Sequence, residues 1–323
     1  RVQLGIGVST YVEITAPGDT PEWSKVEVHD DGTATAYVGT SGHGQGHETA
    51  FAQIVAGHLG IDHTDVRVVE GDTARVARGD GTGGSRSLQV GGSAIYQSAE
   101  QVVEKAKRLV GHLREVAPED VVVADGAIGV AGVPDTAITW GELARIAADP
   151  TNLPEGEDPG LAFEGLFDQE LATYPFGAHV SVIEVDTETG SITVRRHVAG
   201  NDCGRIFNRL LVAGRVHGGV AQGYGQALWE HARYDEWANP LSGNLTTYLI
   251  PTASTLPPFE VDHTETPSVV NPLGAKGIGE SGTIGSTAAA WNAVNDALRP
   301  FGVRHLDMPA TPDRVWGALQ AAT

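Results

Sequence analysis

The glycines of this 323-residue chain restrict its folding more than any apolar run does, because many of the 42 crowd into loops that abut helix-compatible segments. The most telling is Gly274-Ala275-Lys276-Gly277-Ile278-Gly279-Glu280-Ser281-Gly282-Thr283. Glycine has no Cβ and accepts positive φ, so a bulky group can press directly on such backbone. Gly285 to Val294 is helix-compatible, so the loop opens onto a helix N-terminus, whose free N–H groups and dipole suit an anion. Glu280 is the one carboxylate in the loop. Held there, it is expected to stay ionised at neutral pH and to serve as a base. The plainer alternative is a helix cap beside a tight turn.

Two further segments share this character. Thr40-Ser41-Gly42-His43-Gly44-Gln45-Gly46-His47-Glu48-Thr49 leads into an apolar-periodic helix from Ala50 to Leu59. Gly79-Asp80-Gly81-Thr82-Gly83-Gly84-Ser85-Arg86-Ser87 combines open backbone, hydroxyls and a guanidinium, the ingredients of a phosphate cradle. Its Gly79-x-Gly81-x-x-Gly84 spacing matches a dinucleotide fingerprint, but Ser-Arg-Ser-Leu-Gln-Val follows instead of a clear helix start, which argues against a Rossmann unit. His47-Glu48-x-x-Phe51 lacks the second histidine of a zinc-protease helix, so His47 is expected to cap or pack.

Composition removes several function classes. A formal net charge of −20 disfavours nucleic acid and anionic membrane surfaces. Cys203 is the only cysteine, so an internal disulfide or an all-cysteine iron–sulfur cluster on this chain alone is impossible. No 18-residue apolar run predicts a membrane span, no signal-peptide pattern opens the chain, and a cytoplasmic location is expected. Arg1 leads and Met308 is the only methionine, which fits a fragment or a cleaved subunit.

The element pattern predicts an α+β fold of two related lobes, each a mixed sheet with packed helices. A strand, a turn at Asp30-Asp31-Gly32, a strand from Thr33 to Val38, a glycine loop and a helix near 47–59 make the first. A strand from Ala178 to Val185, a turn at 187–190, a strand from Ser191 to Val198, the Asn201-Asp202-Cys203-Gly204 loop and a helix near 208–230 repeat the plan. Ser93 to Val116 reads as a long amphipathic helix, Thr139-x-x-Glu142 as a capping box, and 120–130 as a hairpin around Asp125-Gly126. Pro154, Gly156, Pro159 and Gly160 break any period between Pro150 and Gly165. The expected division is therefore a first lobe over 1–150, a linker over 151–175 and a second lobe over 176–323. The glycines at 214, 218, 219, 223 and 225 each cost about 1 kcal/mol in a helix and imply tight packing there.

In this order and spacing the three loops resemble the molybdenum hydroxylases, the family of xanthine dehydrogenase, aldehyde oxidase and aerobic carbon monoxide dehydrogenase. The likeness is to the C-terminal half of their large, molybdopterin-binding subunit. It runs from Gly5-Ile6-Gly7-Val8-Ser9-Thr10-Tyr11-Val12-Glu13 through Gly214 to Gly223, Glu265-Thr266-Pro267 and Asn271 to Gly277, and ends at Pro312-Asp313-Arg314-Val315-Trp316.

That resemblance implies molybdenum on a pterin dithiolene, in the cytosine dinucleotide form, with no protein side chain as metal ligand. Glu280 would take the proton from a metal-bound hydroxyl as its oxygen attacks an electron-poor carbon. Gln45, between Gly44 and Gly46, would face the metal's oxo group and the pterin, with His43 near the metal pocket. Thr82, Gly84, Ser85 and Ser87 would bind phosphate, and Arg86 would reach a diphosphate. Lys276, Gly277, Ile278 and Gly279 would line the cofactor side of Glu280. Arg215 departs from the glutamine expected at its position, and its role stays open. The implied partners are the N-terminal half of the large subunit, an iron–sulfur subunit with [2Fe–2S] clusters and an FAD subunit. The implied activity is hydroxylation of an aldehyde or N-heterocycle with water-derived oxygen. The alternatives are a non-catalytic cofactor-binding or assembly paralogue, and an unrelated glycine-rich binding module.

Overall fold

The computed structural model describes residues 1–18 and 21–322. In chain order its main elements are β1 (Val2–Val12), β2 (Glu22–Val28), β3 (Ala34–Val38), α1 (His47–Leu59), β4 (Val66–Val69) and α2 (Ser93–Arg114). There follow β5 (Val121–Ala124), β6 (Ala127–Val130), β7 (Ile138–Thr139), α3 (Trp140–Ala147), β8 (Leu161–Phe167), β9 (Phe176–Asp186) and β10 (Ile192–Asp202). The last are α4 (Arg209–Tyr224), β11 (Glu260–Thr264), α5 (Ser281–Leu298) and α6 (Pro312–Ala322).

These elements form two compact units, neither of them continuous in sequence. One comprises Arg1–Thr15, Tyr174–Pro267 and Lys276–Thr323; the other comprises Ala16–Thr173 and Ser268–Ala275. The expected division at 1–150, 151–175 and 176–323 differs in two respects. β1 leaves the N-terminal unit and pairs antiparallel with β9, Val2 opposite Asp186. The expected linker contains β8, which pairs antiparallel with β2 from Glu22–Phe167 to Val28–Leu161. The prolines stop at Pro159, and Leu161–Phe167, interrupted only by Glu164 and Gly165 in its apolar run, then completes a sheet edge.

Each unit has the same internal plan. The sheets run β1-β9-β10-β11 and β8-β2-β3-β4, and in each the first two pairings are antiparallel and the last is parallel. In each, a long helix lies on the first two strands: α5 on β1 and β9, α2 on β8 and β2. A second helix packs beside it, α4 beside α5 and α1 beside α2. The glycine loop after the central hairpin leads into α1 in one unit and α4 in the other. β5, β6 and β7 add a small antiparallel sheet to the second unit, where Thr139 caps α3 through the Glu142 N–H.

The glycines mark where elements touch. On β1 the inward row is Gly5, Gly7, Ser9, Tyr11, while Val2, Leu4, Ile6 and Val8 stand exposed on the other side. A Cβ on Gly7 would lie 2.0 Å from the Ala289 carbonyl and 2.2 Å from the Ala293 nitrogen, so only glycine lets β1 lie so close to α5. α4 and α5 cross the same way, with Gly219 against Gly282 and Gly223 against Ser286. The glycine-spaced helix therefore packs tightly, as its composition demands, and its immediate neighbour is α5. Ile183, Val216, Val220, Tyr224, Leu228, Val294 and Leu298 fill the core around that crossing.

Candidate active site

Glu280 occupies the N-cap position of α5, with φ −109° and ψ −11°. Its side chain makes no capping hydrogen bond, so the capping alternative does not describe it; its backbone carbonyl instead accepts from the Thr283 and Ile284 N–H groups. The residue is exposed, and its carboxyl hydrogen-bonds to that of Glu13, which follows the end of β1. Glu13 is half-buried, and Ser281 Oγ donates to its Oε2 at 3.4 Å. Burial first, and then the Glu280 carboxylate, push the Glu13 carboxyl up to about 8. Glu13 went unassigned in the sequence. The signal was available, since a carboxylate at the end of the inward row Gly5-Gly7-Ser9-Tyr11 breaks the pattern of a solvated strand end.

Behind this pair runs a buried polar chain. Tyr11 Oη donates to Asn201 Oδ1 at 2.7 Å, and His179 Nε2 meets the same oxygen at 3.1 Å. His179 Nδ1 lies 3.2 Å from His197 Nε2, whose other nitrogen is 3.1 Å from Tyr224 Oη. Burial holds both imidazoles neutral, lowering His179 and taking His197 down to about 3 with help from His179. None of these groups stood out in the sequence, because lone histidines in strands carry no motif.

The residues around Glu280 divide by role. Lys276 does not line an open face: its Nζ is 3.0 Å from Asp202 Oδ1, 4.8 Å from the centroid of the Phe176 ring, and largely buried. Burial alone would raise the Asp202 carboxyl, but Lys276, the Gly204 N–H and two threonine hydroxyls outweigh it and hold it down. Ile278 is buried in the hydrophobic core. Gly277 is buried, its N–H 3.4 Å from Thr15 Oγ1, whereas Gly279 is exposed like Glu280. Cys203 is a buried small residue whose thiol burial pushes up to about 11, and its carbonyl accepts the Lys276 N–H. Arg215 is half-buried on α4, and burial pulls its guanidinium below the ordinary value.

In the other unit the structure brings the first two glycine loops together. The Ser41 N–H donates to Thr82 Oγ1 at 3.1 Å, and the Gly81 N–H to the Gly39 carbonyl at 3.1 Å. Gly39 and Gly79 allow this, since a Cβ on either would come within 2.4 Å of the other's Cα. Gly44 (φ 101°) and Gly46 (φ 77°) turn the chain sharply around Gln45. There Gln45 folds back on His43, its Oε1 accepting the His43 N–H and its Nε2 3.2 Å from His43 Nδ1. Ser41, Gly42 and residues 44–49, with Val68, Val69, Glu70 and Arg75, border a cavity of about 620 Å³. His47 packs as expected, buried with Nδ1 3.1 Å from Glu70 Oε2.

The arginine of the second loop has a partner inside the fold. Arg86 points inward and forms a buried ion pair with Glu22, Nη1 to Oε2 at 2.7 Å, and also donates to the Gly81 carbonyl. A carboxylate as buried as Glu22 demands a cation, which is why the only arginine of the loop turns away from its mouth. Ser87 is buried against Thr82, hydroxyl to hydroxyl at 3.0 Å, so it shapes the turn. Ser85 (φ 54°) and the open glycines 81, 83 and 84 remain at the surface of the loop. The positive-φ backbone of 44–46 and 81–85, the cavity, and the buried, unpartnered His47 Nε2 fit a flat polar group with a phosphate.

A family model described as the molybdopterin cofactor-binding domain matches residues 1–257. The chain is 38% identical over 98% of its length to the carbon monoxide dehydrogenase large chain of Hydrogenophaga pseudoflava, covering 40% of that protein. It is 36% identical over 97% to the nicotine 6-hydroxylase large subunit of Paenarthrobacter nicotinovorans, again covering 40%. Among solved structures, quinoline 2-oxidoreductase from Pseudomonas putida 86 superposes with a TM-score of 0.90 at 36% identity, covering 99% of this chain and 42% of that one. The chain thus spans about 40% of the length of the curated relatives it matches. It belongs to the molybdopterin cofactor-binding domain family found in the large subunits of molybdenum hydroxylases, an oxidoreductase family, and shares their α+β fold. Among the described residues no helix is long and apolar enough to cross a membrane.

Proposed function

We propose that this chain is the catalytic portion of a molybdenum hydroxylase, with Glu280 as the base that activates water-derived oxygen for insertion into an aldehyde or an aromatic N-heterocycle. The carrying observation is the placement of Glu280: exposed, at a helix N-terminus, free of capping duty and hydrogen-bonded to a second carboxyl. When bound, molybdopterin supplies the two-electron redox centre and holds the oxygen to be transferred. The chain's own part is to hold that group and to manage one proton. Backbone N–H groups of Gly44 and Gly46, with His43 and Gln45, suit the pterin edge, the Gln45 amide turning from His43 to the ligand. Thr82, Gly84 and Ser85, with the backbone around them, suit the phosphate, and Ser87 holds Thr82 from behind. Gly279 is exposed beside Glu280, whose carboxylate accepts the proton.

The names of nicotine 6-hydroxylase and quinoline 2-oxidoreductase support a heterocyclic substrate, and that of carbon monoxide dehydrogenase leaves a smaller one as the second choice. The cytosine dinucleotide form rests on the family resemblance and the open 81–85 backbone, since Arg86 no longer argues for a diphosphate. Electrons would leave through iron–sulfur and FAD partners, because this chain has a single, buried cysteine. A non-catalytic paralogue would have no use for a paired carboxylate at this loop.

The test is Glu280→Gln in the assembled enzyme. Loss of a general base lowers kcat by about 10²–10⁴-fold. Near-normal kcat at full molybdenum content would overturn the assignment.

A further inference from the structure

The carboxyl pair at the head of α5 carries more than the base itself. Glu13 is delivered by β1, whose pairing with β9 continues past the strand end in the Glu13 N–H to Pro175 carbonyl bond of 3.0 Å. The close seat of β1 on α5, enforced by Gly5 and Gly7, fixes the distance between Glu13 and the start of that helix. Glu13 is thus brought to the N-terminus of α5 by rigid elements, across 268 positions of sequence from Ser281. Lys276, the nearest lysine in sequence to Glu280, is held by Asp202. The titratable groups facing Glu13 are Glu280, from the loop before α5, and Tyr11, from its own strand. Ser281 adds a hydroxyl, and the β9 side contributes the Pro175 carbonyl.

Two carboxyls in hydrogen-bond contact, one of them half-buried, cannot both ionise cheaply, and they titrate as a unit. We propose that Glu13 is the positioning partner of Glu280, donating its carboxyl proton to the Glu280 carboxylate so that the base is aimed and kept singly charged as a pair. This rests on the reading of Glu280 as the base. At rest the pair holds one proton and one negative charge. When a proton arrives on the Glu280 carboxylate, an O–H bond forms there and the pair becomes neutral with two protons. Release of one proton to water restores the resting state. Above the pair's upper titration Glu13 loses its proton, the two carboxylates repel, and Glu280 loses its donor. Glu13 thereby sets an alkaline limit on turnover.

The test has two arms. Infrared difference spectra of the full enzyme with ¹³C-labelled glutamate, taken after cofactor removal, should show a protonated carboxyl at pH 7 that disappears as the pH is raised through about 8. The signal should be absent in Glu13→Gln. In the loaded enzyme, Glu13→Gln should lower kcat about tenfold with KM held, since an amide donates a weaker hydrogen bond, and should move the alkaline limb of the kcat profile up by at least about one pH unit. Absence of a protonated glutamate carboxyl at pH 7 in the wild type would overturn the proposal, and that measurement needs no variant to fold. So would a Glu13→Gln profile whose alkaline limb coincides with the wild type. Full turnover in Glu280→Gln would dispose of the base assignment alone, leaving the infrared arm to judge the pair.

Discussion

Arg86 and Glu22 form a buried ion pair, Nη1 to Oε2 at 2.7 Å, a partner for Arg86 that the loop sequence does not show. A guanidinium after a run of glycines looks like a phosphate ligand. Inside the fold it pairs with a carboxyl that burial still holds above its ordinary value, the guanidinium offsetting only part of that rise. Arg86→Ala should therefore cost folding stability, about 3–5 kcal/mol for one partner lost from a buried pair. Denaturant unfolding of the variant measures this. A variant with unchanged stability but poor cofactor retention would restore the phosphate role.

Glycine positions separate sharply by what surrounds them. Gly7→Ala places a methyl 2.0 Å from the Ala289 carbonyl and must lift β1 from α5, a destabilisation of about 3 kcal/mol or more. Gly214→Ala meets nothing within 4 Å on the same protein and sits within α4, so it should stabilise by up to about 1 kcal/mol. Thermal unfolding of the two variants should move in opposite directions.

The His179–His197 pair predicts acid lability. Both imidazoles are held below the ordinary value near 6.5, chiefly by burial, so the unfolded chain binds protons that the folded chain refuses. Their contribution to stability is complete above pH 6.5 and is lost as the pH falls toward about 3 for His197. Each such histidine gives a slope of about 1.4 kcal/mol per pH unit within that window. His197→Gln should flatten the fall in stability between pH 6.5 and 4 relative to wild type. Parallel curves for the two proteins would show that His197 titrates normally.

Cofactor form has a chemical readout. Acid hydrolysis of the assembled enzyme should release one CMP per molybdenum if the dinucleotide is present. Molybdenum without a cytidine nucleotide would leave the hydroxylase reading intact and remove the dinucleotide. The chain alone should purify with little molybdenum, because it spans only about 40% of the length of its relatives. Stoichiometric metal on the lone chain would show the remainder to be dispensable for binding.

What the sequence determined by itself was local. The helix from His47 to Leu59, the long amphipathic α2, the Thr139 cap of α3 and the hairpins around Asp31 and Asp125 all follow from neighbours within a few positions. The glycine loops and the placement of Glu280 at a helix N-terminus were legible for the same reason. Tertiary structure decided everything that depends on what lies opposite. β1 reads as a strand, yet its larger apolar residues Val2, Leu4, Ile6 and Val8 face outward, because only the row of small residues can approach α5. β8 hides behind prolines and glycines until β2 offers it an edge. Arg86, Lys276 and Ile278 carry the right chemistry for a binding loop, but their surroundings turn them to Glu22, Asp202 and the core. Glu13 gains its role only when the chain brings it back to Glu280. Backbone preferences are properties of short segments, whereas burial and charge compensation belong to pairs of residues that the sequence separates and the fold unites.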